Sequence, residues 1–294
     1  NVVGWKPAPT SVLSNWILAR IYEEAGLPPG VINFLPGSGA AVSAVALSHP
    51  AFAGLHFTGS TAVFNGLWRQ AAANLGSYRS YPRLVGETGG KDFVFLDPSA
   101  DPDAAVAALV RGAYEYQGQK CSAASRLYVP ASLGRAFLDR LAEAVRSIPV
   151  GPPTDFRAFM GAVIDEASYR NILPYLERAC SRGAARCELE LLAGGHGRAE
   201  EGWFIEPSLL LAESPDYETM REELFGPVLT AYVYDDRDME AAYRLVDGTS
   251  PYALTGAVFA RDRRAILAGL EGLKNAAGNL YVNDKPTGAI VGSQ

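Results

Sequence analysis

The sequence predicts an α/β fold in which strands and helices alternate. Apolar runs of strand length recur along the 294 residues, and segments with helical spacing separate most of them. Such alternation is typical of sheets that are largely parallel. Hydrophobic residues make up 48% and charged residues 20% of the chain, as in soluble globular proteins. The length suits one large domain or two ordinary ones.

The first predicted helix begins at Thr10 or Ser11 and ends near Gly26. Two apolar runs, residues 31–39 and 54–60, then predict strands on either side of a short helix that Pro50 ends. The helix prediction rests on apolar residues that recur at helical spacing: Val12, Leu13, Trp16, Ile17 and Ile21.

The segment RLVGETGGK interrupts the alternation of strands and helices near Gly86, where we predict a domain boundary. The same alternation continues after it. Within residues 187–212 two strands meet without a helix between them, which indicates an antiparallel hairpin. The other predicted strands cover residues 92–97, 126–130, 228–236, 254–260 and 278–284. The predicted helices cover residues 101–116, 132–147, 166–181, 239–245 and 261–270.

Charge and cysteine usage exclude several classes of protein. The net charge of −6 argues against nucleic acid or an anionic membrane as the main partner. No apolar run approaches the roughly 20 residues that span a bilayer. The three cysteines cannot all pair and none forms a C-x-x-C spacing, so we expect no zinc or other metal site and favour a reducing compartment. Because the first residue is not Met, we expect the chain to be the interior of a longer protein.

Cys121 is the candidate for a reactive thiol. A buried cysteine ordinarily behaves as a small apolar residue. Cys121 instead lies in a polar segment, beside Lys120 and three residues after Gly118, which leaves the backbone free to bend. A neighbouring cation favours the thiolate, which is the nucleophilic form.

A glycine-rich segment, VGETGGKD, places Glu87 in a predicted turn. A carboxylate there can approach a substrate closely, and burial would suit it to act as a base. A surface glutamate in a turn is the alternative, and it is the more common case.

Two further segments suggest anion or ligand binding. FTGST, residues 57–61, predicts a strand, a Gly-Ser turn and then a helix whose first amides could bind phosphate, or an ordinary strand-to-helix turn. Phe225 in EELFGPVLT could be plain core, and Lys6 in WKPAP an ordinary surface lysine. The histidines His49, His56 and His196 fall in no catalytic spacing.

Taken together, six motifs resemble the aldehyde dehydrogenase superfamily, in that superfamily's order: WKPAP, FTGS, GETGGK, GQKCSAASR, EELFGPV and NLYVND. The resemblance covers the whole chain. Longer segments, such as LPPGVINFLPG and LVDGTSPYALTGAVFA, are similar to the branch that oxidises L-glutamate γ-semialdehyde in proline breakdown.

The resemblance implies an aldehyde dehydrogenase-like fold. Residues 1–86 would be the latter part of a Rossmann-like NAD-binding domain, and residues 87–294 a catalytic α/β domain. The superfamily's oxyanion asparagine would lie before Asn1 and its substrate-carboxylate loop after Gln294. We therefore expect this chain by itself to be inactive and not stably folded.

The resemblance also implies the catalytic roles. Cys121 would attack a small-molecule aldehyde, and its own N–H would help to hold the oxyanion. A hydride would leave for NAD, and Glu87 would activate water to release the acid from the resulting thioester.

NAD is the implied cofactor. Lys6 would bind the adenosine ribose, Gly59 and Ser60 the pyrophosphate, and Glu223 the nicotinamide ribose, with Phe225 near the ring. The full set of implied cofactor residues is Lys6, Gly59, Ser60, Thr61, Glu223 and Phe225. Three residues after Lys6 stands Pro9, where many members have an acidic residue that binds the ribose hydroxyls, so a strict preference for NAD over NADP is open.

Two alternatives remain at the level of sequence: another semialdehyde dehydrogenase, and a catalytically silent relative that keeps the fold. The presence of both Glu87 and Cys121 argues against the silent relative. The resemblance further implies a homo-oligomer, located in the cytoplasm or, alternatively, in a mitochondrial matrix.

Overall fold

The structure, a computed structural model, describes residues 2–179 and 187–288. It divides into two compact units, Asn1–Thr88 and Gly89–Gln294. The division falls two residues after the predicted boundary, so Glu87 belongs to the first unit.

The first unit contains two parallel strand pairs. β1 pairs with β2 and β3 pairs with β4. Its elements are β1 (Val3–Trp5), α1 (Val12–Glu24), β2 (Ile32–Phe34), α2 (Gly39–Ser48), β3 (Gly54–Thr58), α3 (Thr61–Ala73) and β4 (Arg83–Glu87). Serine hydroxyls cap two of the helices: Ser38 accepts from the N–H of Ala41, and Ser60 from that of Val63.

Few apolar side chains are buried in the first unit. Within its described residues these are Pro7, Ala19, Leu47 and Ala71, while α1 exposes Leu13 by 73% and Ile17 by 52%. This unit therefore has little hydrophobic core.

The second unit is built on a seven-stranded sheet in the order β13-β12-β5-β6-β11-β10-β7. All neighbouring pairs are parallel except β7 with β10. Its strands are β5 (Asp92–Leu96), β6 (Ala124–Pro130), β7 (Leu189–Ala193), β8 (Gly197–Arg198), β9 (Phe204–Ile205), β10 (Ser208–Ala212), β11 (Val228–Tyr234), β12 (Thr255–Phe259) and β13 (Asn279–Val282).

Helices connect most of these strands: α4 (Pro102–Tyr114), α5 (Gly134–Arg146), α6 (Glu166–Glu177), α7 (Glu218–Arg221), α8 (Met239–Gly248) and α9 (Arg263–Gly272). Aspartates at the N-caps explain where four of them begin. Asp101, Asp165, Asp238 and Asp262 each accept a hydrogen bond from a main-chain N–H of the first turn.

Both faces of the large sheet are covered. Alternate residues of one strand enter different apolar clusters: Val94 and Leu96 pack on one face, and Phe93 and Phe95 on the other. Every residue of β5 is buried, as expected for a central strand in a parallel sheet.

The α/β class and the alternation are confirmed, and the predicted hairpin corresponds to β7 and β10 with the small antiparallel pair β8–β9 between them. The predicted helix 166–181 ends at Glu177 in the described part, and residues 180 and 181 lie outside it. The strand β4 and the β8–β9 pair were not predicted as such, whereas the single-turn α7 agrees with the helical turn predicted directly before Glu222.

Candidate active site

Cys121 lies in a short connection between α4 and β6 whose backbone is unusual. Tyr116, Gln117 and Gly118 have φ values of 57°, 59° and 64°, the left-handed region. Only the glycine adopts it without steric cost. Non-glycine residues stay in such conformations when their surroundings hold them there, often at functional sites.

Two glutamine side chains fix this connection. Gln117 Nε2 donates to the carbonyl of Ala162 at 2.9 Å, and Gln119 Oε1 accepts from the N–H of Ile164 at 2.8 Å. Gly118 packs so closely that an added Cβ would lie 2.3 Å from the carbonyl oxygen of Gly226. The turn that carries the thiol is thus held on several sides, while the Cys121 side chain is only half-buried.

The cation beside the cysteine is held by an acid. Lys120 Nζ lies 2.7 Å from Glu115 Oε2, and this hydrogen bond is the chief reason that the pKa of Glu115 falls to about 2. Arg111 and Lys285 also contact Glu115, so the positive charge near the turn belongs to a small network.

Glu223 enters the same region from the segment between α7 and β11. Its Oε1 accepts from the N–H of Gly90 at 3.0 Å. Burial raises the pKa of Glu223, against the effect of that hydrogen bond and of the nearby Lys91 charge. Phe225, two residues on, has a φ of 54° and is 44% exposed, so it is not a core residue.

Three charged side chains are buried beneath these loops. Lys91, Asp92 and Arg126 are 1–2% exposed. Burial lowers the pKa of Lys91 to about 7 and raises that of Asp92 to about 7. Arg126 donates from Nε to the Lys91 carbonyl at 2.6 Å, and from Nη1 to the Tyr128 hydroxyl and the Val246 carbonyl at 3.1 Å each.

These elements surround a small, open polar cleft in the second unit. Five of the residues that line it are Gly90, Lys91, Lys120, Glu223 and Phe225. The segments at residues 90–91, 118–125 and 223–228 are far apart in sequence, and the sheet brings them together because β5, β6 and β11 are neighbours.

In the first unit, the predicted phosphate turn lies between β3 and α3 as expected. Gly59 and Ser60 are exposed, and the first N–H groups of α3 have no partner within the helix. Thr61 Oγ1 is buried without a hydrogen-bond partner in the described residues. The turn therefore has the form of an anion site at a helix N-terminus.

Lys6 directly follows β1, as predicted, and is half-buried. Its ammonium donates to the carbonyl of Pro7. Its Cε is 4.0 Å from where a Cβ on Gly39 would stand, so the side chain lies at the start of α2.

Glu87 differs from its prediction in secondary structure. It is the last residue of β4 and does not lie in a glycine turn, because the strand pairing with β3 extends to Thr58 and Glu87. Its side chain is exposed in this structure, which agrees with the alternative of a surface glutamate.

The whole chain matches one family model. The model is that of the aldehyde dehydrogenase family, and it covers residues 1–293. The chain belongs to the aldehyde dehydrogenase family.

The named relatives of this aldehyde dehydrogenase chain carry the same enzyme name. A Dictyostelium discoideum protein named delta-1-pyrroline-5-carboxylate dehydrogenase, mitochondrial, is 53% identical over 296 residues, which are 100% of this chain and 52% of the relative. A Schizosaccharomyces pombe protein named as a probable delta-1-pyrroline-5-carboxylate dehydrogenase is 50% identical over 100% of this chain and 54% of its own length. The chain thus spans about half the length of the curated relatives it matches.

Solved structures give the same family fold. The delta-pyrroline-5-carboxylate dehydrogenase of Mycobacterium tuberculosis bound with NAD has a TM-score of 0.91 and 48% identity, covering 100% of this chain and 53% of that one. The aldehyde dehydrogenase-like fold predicted from the motifs is confirmed.

Sequence reasoning missed the buried members of this aldehyde dehydrogenase site. Asp92 is the first residue of the predicted strand 92–97, but neither Asp92 nor Lys91 was predicted to be buried. The available signal was that both immediately precede the apolar run FVFL, so the start of a buried strand would carry them inside.

Two predicted absences concern metals and membranes. Within residues 2–179 and 187–288 no cluster of His, Cys, Asp and Glu could hold a metal ion. In the same part of the chain, no helix has both the length and the apolar character required to cross a bilayer.

The reducing compartment predicted from the cysteine count gains no support from Cys187, which is disulfide-bonded.

Proposed function

We propose that the protein oxidises L-glutamate γ-semialdehyde, the open form of 1-pyrroline-5-carboxylate, to glutamate with NAD. The observation that carries the proposal is likeness over the entire chain, at 47–53% identity, to proteins from slime mould, fission yeast and cattle that carry the name of this activity. The strained, well-anchored turn of Cys121 supports it independently, because an acyl-transfer route needs a presented thiol.

The residues present fit the cofactor. Gly59 and Ser60 offer an exposed helix N-terminus suited to a pyrophosphate, and Lys6 lies beside the start of α2, where it would meet the adenosine ribose. Glu223 and Phe225 lie on the polar cleft, where they would meet the nicotinamide ribose and the ring. Relatives from Mycobacterium tuberculosis and Thermus were solved with NAD bound.

In this mechanism the Cys121 thiolate forms a C–S bond to the aldehyde carbon, and the carbonyl electron pair moves onto oxygen. The N–H of Cys121 donates to that oxyanion. When bound, NAD supplies the oxidant by accepting the hydride from the same carbon. The product on the enzyme is a thioester, and loss of hydride re-forms its C=O bond.

Glu87 completes the cycle as a general base. It takes a proton from water, the water oxygen attacks the thioester carbon, and the C–S bond breaks to return the Cys121 thiolate and free glutamate. The exposure of Glu87 in the structure is compatible with access of water to its carboxylate.

The test is turnover by the whole protein, followed as NADH formation from L-glutamate γ-semialdehyde. Cys121→Ala should reduce turnover by about 10⁴-fold or more, as expected for a lost nucleophile, and leave NAD affinity nearly unchanged. Ser122→Ala, in the same turn, is the matched control and should retain turnover. Retained turnover in Cys121→Ala would reject the nucleophile.

Substrate choice is tested in the same assay with semialdehydes of other chain lengths. Selective turnover of L-glutamate γ-semialdehyde supports the proposal, whereas equal or better turnover of another semialdehyde favours that alternative. The oligomeric state and the compartment stay predictions. Relatives named as mitochondrial support the mitochondrial matrix over the cytoplasm.

A further inference from the structure

The two carboxylate oxygens of Asp92 have very different surroundings. Oδ1 accepts two hydrogen bonds from Thr255, from its N–H at 2.7 Å and from its hydroxyl at 2.9 Å. Oδ2 is equally inaccessible to solvent, and within the described residues no hydrogen-bond donor reaches it. A buried acceptor in this state is costly, so this oxygen requires an explanation.

Gly90 shows what lies opposite Oδ2. A Cβ added at Gly90 would stand 2.4 Å from Asp92 Oδ2 and 2.0 Å from the main-chain carbonyl oxygen of Cys121. Both oxygens therefore border the same small space, which only a glycine leaves open. A carboxylate oxygen and a carbonyl oxygen are both hydrogen-bond acceptors, so these two oxygens would repel one another across that space.

A proton on Oδ2 removes this conflict, because a neutral carboxyl group has one O–H donor. The charges around Asp92 are compatible with the neutral form. Burial raises the pKa of Asp92 to about 7 and outweighs the hydrogen bonds from Thr255 and the Arg126 charge, while Glu223 adds to the rise. Arg126 directs its N–H groups to Lys91, Tyr128 and Val246, and Lys91 itself has a lowered pKa.

We propose that Asp92 is a positioning residue: its neutral carboxyl group donates from Oδ2 to the carbonyl oxygen of Cys121 and so fixes the backbone from which the thiol projects. The hydrogen bond ties the strained turn to the first residue of β5, deep in the sheet. The catalytic meaning of this link rests on the proposed function, but the link itself does not.

Asparagine distinguishes the neutral donor from a carboxylate. In Asp92→Asn the amide oxygen can accept from Thr255 and the NH₂ can donate to Cys121, with no proton to lose. Asp92→Leu has similar bulk but neither donor nor acceptor. The neutral-donor proposal predicts that Asn replaces Asp and that Leu does not.

The first measurement requires no enzymatic activity. Urea unfolding of the full-length wild-type and Asp92→Asn proteins is compared from pH 4 to pH 9. A raised folded-state pKa means that the unfolded aspartate loses its proton first as pH rises. Wild-type stability should therefore fall relative to Asp92→Asn between about pH 4 and pH 7, and the gap should be constant above pH 7. The proposal would be overturned if the difference in free energy of unfolding between the two proteins stayed constant from pH 4 to pH 9, or became smaller as the pH rises.

The second measurement concerns the thiol. Alkylation of Cys121 by iodoacetamide, followed by mass spectrometry of its peptide, and kcat are measured for all three proteins. At pH 6.5 both the alkylation rate of Cys121 and kcat of Asp92→Asn should stay within about threefold of wild type, because the asparagine NH₂ still donates a hydrogen bond. Asp92→Leu should lose at least about tenfold in kcat with little change in KM, as expected when only the geometry of the nucleophile changes.

If Asp92→Asn is impaired as strongly as Asp92→Leu, Asp92 acts as a carboxylate and the proposal is wrong. If the wild-type protein shows no turnover at all, the proposed function fails, and the unfolding and alkylation measurements still decide the role of Asp92.

Discussion

Every residue of the central strands β5 and β12 in the second unit is buried, whereas helix α1 in the first unit exposes Leu13, Trp16 and Ile17 by 45–73%. The second unit covers both faces of a seven-stranded sheet, and the first has two separate strand pairs with few buried apolar side chains.

The difference in packing corresponds to the kind of turn that each unit contains. Tyr116 and Gln117 in left-handed conformations cost free energy, and a densely packed sheet can supply the contacts that keep them there. The Gly59–Ser60 turn requires only the amides of a helix N-terminus, which depend on local hydrogen bonds. We infer that the strained thiol turn requires the larger core and the anion turn does not.

The largest expected effect concerns Glu87, the proposed general base in the first unit. Glu87→Gln keeps size and removes the base, so steady turnover should fall by about 10²–10⁴-fold while a first burst of NADH survives. Rapid mixing measures both phases. Glu24→Gln, an exposed glutamate of α1, is the control and should behave as wild type; unchanged turnover in Glu87→Gln would show that the carboxylate has no role as a base.

The next effect tests the difference in packing directly. Phe95→Ala removes a fully buried ring and should lower the free energy of unfolding by about 3–5 kcal/mol. Trp16→Ala removes a ring that is 45% exposed, and should cost about 1 kcal/mol or less. Amide hydrogen exchange gives the opening free energy of each unit. Equal decreases in this free energy for Phe95→Ala and Trp16→Ala would contradict the difference in packing.

A smaller effect concerns the polar cleft. Glu223→Gln should reduce the hydride-transfer rate by up to about 10²-fold, because misplacement of the nicotinamide disturbs the reacting geometry. NAD affinity should change little. Single-turnover kinetics with titrated NAD separate the two quantities, and weak binding with normal turnover at saturation would refute this placement of Glu223.

The smallest effect concerns the anion turn. Ser60→Ala removes the hydroxyl that accepts from the N–H of Val63, and should destabilise α3 by about 1 kcal/mol. Hydrogen exchange at the first turn of α3 reports this loss. Ser43→Ala, at a half-buried position within α2, serves as control and should stay within about 0.5 kcal/mol of wild type.

Much of this architecture could be predicted from local patterns. The run from Asp92 to Leu96 is apolar enough to require burial on both faces, and Asp101 before Pro102 marks a helix start. Cys121 could be singled out because its polar, glycine-containing setting is unusual for a cysteine.

The remainder depends on contacts between distant segments. The sequence around Asp92 does not predict that Thr255 donates hydrogen bonds to it, or that the carbonyl of Cys121 lies nearby. These segments meet only when β5, β6 and β12 pair. Glu87 was assigned to a turn because glycines surround it, although pairing with β3 extends the strand to that residue.

The central claim is that Cys121 carries the acyl group of the substrate. The most direct measurement is mass spectrometry of the Glu87→Gln protein, quenched in acid after mixing with L-glutamate γ-semialdehyde and NAD. We predict a thioester on the Cys121 peptide, which is heavier by the mass of glutamic acid less one water and appears only when both compounds are present. Continued NADH formation with an unmodified Cys121 peptide, or an adduct on another residue, would contradict it.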